Sequence, residues 1–277
     1  IIITEQLYRF LYILMVLAPW AVNAQQNLVY NHSFELNDSC PQHENGGGYT
    51  LDQMTQGWYM PNSATTDYYH TCAPANGRVK PPGPLWSGYQ SPRTGNAMAG
   101  IAVYIDVDPA NSEYLQTRLT QPLEACEWYK VEFYVNLCNN CSFASKDIGA
   151  VLTTERIQQP LGSVASFQIT PHIQAANVVT DTLRWIKIDG HHQAAGGEEW
   201  LTIGRFVKKP MGLFWEDVLD VIPVIPDTAG FSGWDGQGGY YYIDDVFVYE
   251  VSAEEVNEDN VQLTFDLPNV ITPNNDG

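Results

Sequence analysis

The chain has 277 residues and a formal net charge of −19, with 16% charged and 44% apolar residues. That balance allows a buried core and excludes a chain disordered throughout. With 13 Lys+Arg against 32 Asp+Glu there is no basic surface for a phosphate backbone, so nucleic acid is excluded as a partner; an acidic surface rich in Tyr and Trp suits divalent cations and neutral ligands such as sugars.

Residues 1–24 read as a signal peptide. Arg9 precedes an apolar run at 10–17, and Val22 and Ala24 set small residues before Gln25, the pattern of signal-peptidase cleavage. The run is short for a membrane span, and no later stretch is long and apolar enough to cross a bilayer. The mature protein is expected to be secreted or held at the outer cell surface, with no membrane span after signal removal. There is no initiator Met, so the chain is expected to be a clipped reading frame, open at both ends.

Residues 25–251 read as one β domain. At 131–137 Val131, Phe133, Val135 and Leu137 alternate with Glu132, Tyr134 and Asn136, the period of a half-buried strand. Strands are also expected at 97–104, 115–119, 149–154, 166–172, 183–189, 199–207 and 240–250, with Pro, Gly and Asn clusters between them. The segment 213–222 reads as one short helix. About eight or nine strands with long polar loops predict an all-β fold, an antiparallel jelly-roll β-sandwich.

The loops at 40–95 and 208–239 are too long for plain connections, and ordered loops of that kind on a β-scaffold are where ligands usually bind. Trp58, Tyr59, Tyr68, Tyr69, Trp86 and Tyr89 fall in the first, Trp215 and Trp234 in the second. Sugar rings stack their apolar faces on exposed aromatic rings, while nearby amides and carboxylates read the hydroxyls. The candidate ligand-binding residues are therefore Trp58, Tyr59, Tyr68, Tyr69, Trp86, Tyr89 and Trp234.

Catalytic signals are weak. A glycosidase needs two carboxylates roughly 5–10 Å apart in one cleft. The doublets Glu198-Glu199, Glu216-Asp217 and Asp244-Asp245 are sequence neighbours, which diverge on a strand, so no catalytic residue is assigned. There is no Gly-x-Ser-x-Gly or His-Glu-x-x-His motif. His191-His192 is expected to be a solvated loop pair and Asp147 a turn acceptor. Among the five cysteines, Cys40 and Cys72 share similar loop settings and form the expected disulfide; Cys138 and Cys141 are either a small-loop disulfide or a free pair, and Cys126 is expected to be a buried thiol.

The two ends of the domain carry a resemblance. "NLVYNHSFE" at 27–35 and "YYYIDDVFVY" at 240–249 resemble the first and last strands of galactose-binding-like jelly rolls, a group that includes many carbohydrate-binding modules, with its Asn-x-x-Phe-Glu opening and Ile-Asp-Asp-Val close. The resemblance implies that the terminal strands lie side by side and that a structural calcium sits there, held by Glu35 and Asp244. Successive strand residues face opposite ways, so Asp244 and Asp245 are not expected to share a site, and an inward carboxylate needs a cation or donors. "GWYMPNSATTDYYHTC", "GYQSPRTGNAMAGIAVY", "EYLQTRLTQPLEACEWYKVEFYVNL" and "EEWLTIGRF" together resemble an uncharacterised exported β-domain of Bacteroidetes surface proteins.

Residues 252–260, "SAEEVNEDN", read as a linker, and 261–277 as the truncated start of a further domain. The closing "NVITPNNDG" at 269–277 resembles the opening of the gliding-motility-associated C-terminal domain, the type B sorting signal of type IX secretion; Ile271 replaces its usual aromatic, and Asn275 stands where Gly is frequent. The resemblances imply a carbohydrate-binding or adhesion module, with a glycan or cell-surface polysaccharide and the type IX secretion machinery as partners. A carbohydrate-active enzyme on a jelly roll and a passive spacer are the other readings.

Overall fold

Along 128–137 the structure buries Val131, Phe133 and Val135 and leaves Lys130, Glu132 and Tyr134 half-exposed, as their alternation requires. The computed structural model describes residues 25–43, 51–105, 111–207, 221–224 and 238–257. In chain order they hold a short helix α1 (Leu51–Met54) and the strands β1 (Trp58–Tyr59), β2 (Asp67–His70), β3 (Ala97–Ile105), β4 (Tyr114–Arg118), β5 (Trp128–Leu137) and β6 (Phe143–Ser145). Then come β7 (Ile148–Thr153), β8 (Ile173–Gln174), β9 (Ile186–Gln193), β10 (Trp200–Arg205), β11 (Val221–Pro223) and β12 (Gly238–Val251).

Two five-stranded antiparallel sheets form, one in the order β1-β4-β10-β7-β8 and the other in the order β2-β3-β12-β5-β9, with β6 and β11 paired separately. The core lies between the two large sheets. Trp58, Leu115, Leu152, Leu201 and Ile203 from the first meet Ile101, Val131, Phe133, Val135 and Ile243 from the second, all buried in one cluster. The fold is thus the all-β antiparallel jelly-roll sandwich that the strand pattern predicts.

The register also defines the outer face of the first sheet. Trp58 pairs with Thr117, Thr117 with Leu201, and Leu201 with Leu152, so these side chains share the inner face. Tyr59, Gln116, Thr202 and Val151 are paired in the same way and face outward. Half of that outer face is covered by a second apolar cluster of Tyr114, Val151, Phe167 and Phe206, against which Ile157 and Ile169 pack.

That cover corrects one expectation. Residues 166–172 are no strand; Phe167 makes a single bridge to Phe206, and the regular strand begins at Ile173. The apolar period at Phe167 and Ile169 comes from a segment laid over the sheet rather than paired into it. Other corrections concern polar groups. His191 and His192 lie within β9, and His192 stacks on His172 with ring centroids 4.3 Å apart. Its Nε2 stands 3.2 Å from Glu198 Oε1. Asp147 is buried, 3.7 Å from Arg205 Nε, and accepts a hydrogen bond from Gln174 Nε2 at 3.1 Å. Cys126 is exposed on a turn, with φ of 70°.

The Cys40–Cys72 disulfide is present, with an S–S distance of 2.06 Å and 5.8 Å between Cα atoms, and Cys138 is bonded to Cys141. Residues 253–257 form a helical turn after β12. No helix among the described residues is long and apolar enough to cross a membrane. The signal peptide at 1–24, Trp215, Trp234 and the stretch 261–277 lie outside the described residues, as does the expected helix 213–222 up to residue 220; its last two residues belong to strand β11 instead.

Trp58 anchors the β1 end of the core. It has no exposed surface, its ring lies 4.7 Å from that of Phe34, and its Nε1–H donates to Asn31 O at 2.9 Å. Trp58→Ala is expected to remove about 3–5 kcal/mol of stability, and Trp58→Phe about 1–3 kcal/mol by leaving the Asn31 carbonyl without its donor. Denaturant midpoints at constant m-value measure both.

Candidate functional site

The uncovered half of the outer face carries the aromatic site. Tyr59 on β1 and Trp200 at the start of β10 are half-buried, with ring centroids 5.9 Å apart at 62°. Between and beneath them Gln116 and Thr202 are wholly buried, and Gln116 Nε2 donates to Thr202 Oγ1 at 2.7 Å. That bond turns the amide so that its oxygen faces Arg156, whose Nε donates to it at 3.2 Å. The guanidinium lies over the Tyr59 ring, 4.7 Å from the centroid, and 5.8 Å from that of Trp200. Each contact is a favourable cation–π arrangement. Arg118 and Glu199 close the rim with a hydrogen-bonded ion pair, 2.7 Å from Nη2 to Oε2.

The chemistry of this surface is specific. Tyr59 Oη, Trp200 Nε1 and both Arg156 Nη atoms have no hydrogen-bond partner among the described residues. These donors belong to the same cluster as the half-buried Trp200 ring, and the Gln116–Thr202 pair makes its floor stiff. An apolar ring face ringed by unspent donors is what a sugar needs, because its C–H face and its hydroxyls point in different directions.

The other expected aromatic residues are dispersed by the fold. Trp58, Tyr68 and Tyr69 are buried in the core, so they offer no ring face to a ligand in solution. Tyr68 Oη donates to Phe34 O at 3.0 Å, and Tyr69 shares a buried hydrogen-bond group with Ser87, Tyr240 and Asp67. Burial first, then the Asp67 charge, push the Tyr69 and Tyr240 phenols well above their ordinary range. Trp86 is half-buried against Tyr240, its centroid 4.8 Å away. Tyr89 is 52% exposed, on a separate loop where its ring packs on Gly83. No single loop platform forms from these rings. Trp200, Gln116 and Arg156 escaped the sequence reading because they come from a strand start, a strand middle and a loop; the one available signal was Trp200 leading the apolar period of β10.

At the seam of the terminal strands the resemblance-based reading meets a different arrangement. The segment 27–32 lies along β12, with Leu28 N–H donating to Val248 O at 2.7 Å and Val246 N–H to His32 O at 2.8 Å. A β-bulge interrupts β12 between Asp244 and Phe247, with Asp245 at φ 50°. The bulge adds a residue to one strand and resets the alternation. Asp244 and Asp245 therefore turn to the same loop, contrary to the expectation from a regular strand. Asp244 Oδ2 accepts the Arg93 and Thr94 amides at 2.7 and 3.2 Å. Asp245 takes the Arg93 guanidinium and, at 2.7 Å, the Thr94 hydroxyl. Glu35 Oε1 accepts the Asn96 and Ala97 amides at 2.6 and 2.9 Å.

The donors to Glu35 and Asp244 are thus N–H groups of 93–97 and the Asp245 amide, while the Thr94 hydroxyl and the Arg93 guanidinium go to Asp245. Among the described residues no group of three or more His, Cys, Asp or Glu side chains has a geometry for a metal ion. Calcium needs six to eight oxygen ligands. The carboxylates as placed are satisfied by the loop's own donors.

No family model matches this chain, and no curated protein matches it. Among solved structures it is similar to the CBM22-1 xylan-binding domain of Paenibacillus barcinonensis Xyn10C, with TM-score 0.42 and 15% identity over 83% of this chain and 97% of that one. It is also similar to the arabinose-bound MgGH51 α-L-arabinofuranosidase, with TM-score 0.43 and 10% identity over 84% of this chain and 29% of that one. A third is a putative sugar binding protein of Bacteroides thetaiotaomicron VPI-5482, with TM-score 0.37 and 11% identity over 82% of this chain and all of that one. The ligands in those descriptions are properties of those proteins.

The seam generates a pH prediction. Burial, and next the Asp245 charge, raise the Asp244 carboxyl to about 8. A folded pKa above the unfolded value gives a contribution that is complete below about pH 4 and is lost as pH rises through about 8. Thermal stability is expected to fall between about pH 4 and pH 8 and to level off above it, and Asp244→Ala to be less stable at pH 6 with a flatter profile. The same melts with and without chelator are expected to coincide; a chelator-sensitive wild type would place an ion at the seam.

Proposed function

We propose that this chain is a non-catalytic carbohydrate-binding module of an exported, cell-surface protein, and that it takes a glycan on the outer face of the β1-β4-β10-β7-β8 sheet. The observation that carries the reading is the half-exposed Trp200 ring, set beside Tyr59 over a buried Gln116–Thr202 floor, with donors on Tyr59, Trp200 and Arg156 that no described protein group uses. A strand-borne site of this kind is held more rigidly than one on loops, and a rigid ring loses little freedom when a sugar stacks on it. Export and surface attachment through type IX secretion rest on the signal-like start and on the resemblance of 269–277 to a sorting domain.

Glycan-array screening followed by calorimetry tests the reading. Trp200→Ala is expected to weaken binding of any captured glycan by at least about tenfold, roughly 1.4 kcal/mol. Tyr89→Ala, on its separate loop, is expected to leave it unchanged. Release of reducing ends from the bound glycan would replace binding by catalysis, and a Tyr89-dependent affinity would move the site to the loops.

A further inference from the structure

The sheet face has a charge feature that a neutral-sugar site does not need. Arg93, Arg118, Arg184 and Arg205 each stand beside a carboxylate, and Lys130 and Lys187 share Asp189. Arg156 does not: its contacts are the Gln116 amide oxygen and the two aromatic rings, all of them neutral. In a chain with 32 Asp+Glu against 13 Lys+Arg, acidic partners are in large excess, yet none of the described ones pairs with this guanidinium.

The guanidinium is also held in place. Its Nε–H is committed to Gln116, whose own amide is fixed by Thr202, and its Cζ lies over the Tyr59 ring. The remaining edge, with the Nη1 and Nη2 donors, is the fork that donates to both oxygens of one carboxylate. A side chain stacked on a ring has already lost much of its rotamer freedom, so pairing costs less than it would for a free surface arginine. The rings also displace water from one side of the ion and strengthen its attraction for an anion.

We infer that the site takes a carboxylate-bearing sugar, a hexuronate unit of an acidic polysaccharide, with its ring on Trp200 and its carboxylate on the Arg156 fork. The inference rests on the glycan-binding reading and narrows its substrate class. The protein's net charge of −19 opposes a polyanion at long range, but at physiological salt that field decays over about 8 Å while the contact pair persists. One charge-matched contact in an acidic surface selects a single carboxylate in register with a stacked ring and discriminates against dense polyanions.

Calorimetry of the full chain at 0.15 M salt with a linear tri-uronide, its methyl ester, the matching neutral trisaccharide and a sulfated neutral trisaccharide tests this. The tri-uronide is expected to bind at least about tenfold more tightly than its methyl ester and the neutral trisaccharide. Arg156→Gln is expected to bring the acid-to-ester ratio close to one, and Arg156→Lys to leave an intermediate ratio, since it keeps charge without the fork. Equal affinity for acid and ester, or an Arg156→Gln variant that keeps the preference, overturns the inference while the glycan-binding reading stands. Preference for the sulfated sugar over the uronide overturns the carboxylate assignment. If no saccharide binds, the inference and the glycan-binding reading both fall.

Discussion

Three carboxylates from opposite ends of the domain converge on one five-residue stretch, and the closure of the sandwich depends on that grip. Glu35 follows the turn at 30–33, Asp244 and Asp245 sit in the last strand, and all three hold 93–97 just before β3. Buried acids without partners would be strongly destabilising. Here backbone amides, the Thr94 hydroxyl and Arg93 supply those partners, so the hydrogen bonds of these acids specify where the loop lies. Gly95 is needed for the approach, since its φ is 61° and a Cβ there would lie 2.3 Å from Glu35 Oε1. With the loop pinned, β3 enters its register with the first half of β12, and the 27–32 segment continues along the same edge beyond the bulge while β5 takes the other edge.

The rest of the molecule divides its aromatic residues between two jobs. On the β2-β3-β12-β5-β9 sheet, Tyr69, Tyr240 and Tyr242 are covered by the 71–92 segment and tied together through Ser87 and Asp67. Those hydroxyls are spent on one another, which rigidifies the cover but leaves nothing for a ligand. On the opposite sheet the cover reaches only part of the face, where Phe167 packs on Tyr114 and Phe206. Tyr59 and Trp200 lie beyond it, and Arg156 lies above them. The limit of that cover is what turns a sheet surface into a site.

Much of this was legible beforehand, and the failures have a common cause. Period-two alternation found the core strands because burial on one face imposes it. The same alternation misled at 166–172, because a segment laid flat over an apolar cluster shows the same pattern without pairing. The aromatic list mixed Trp58, Tyr68 and Tyr69, which close the core, with Tyr59, which faces out beside Trp58. Neighbours in a strand point to opposite faces, and sequence composition does not say which face is water.

The sequence by itself determined the all-β class, the sandwich and the Cys40–Cys72 bond, since each follows from local periodicity or local chemistry, and the meeting of the domain's first and last segments was implied by the resemblance of 27–35 and 240–249 to galactose-binding-like jelly rolls. Only the tertiary structure decided which ring is exposed, which carboxylate is satisfied and that Arg156 is set among neutral groups. Asp244 and Asp245 share a loop because a bulge resets their alternation, and Arg156 reaches Gln116, Tyr59 and Trp200 because four separate segments meet at one face. Those outcomes depend on pairing register between distant strands, a quantity that no local stretch of sequence encodes.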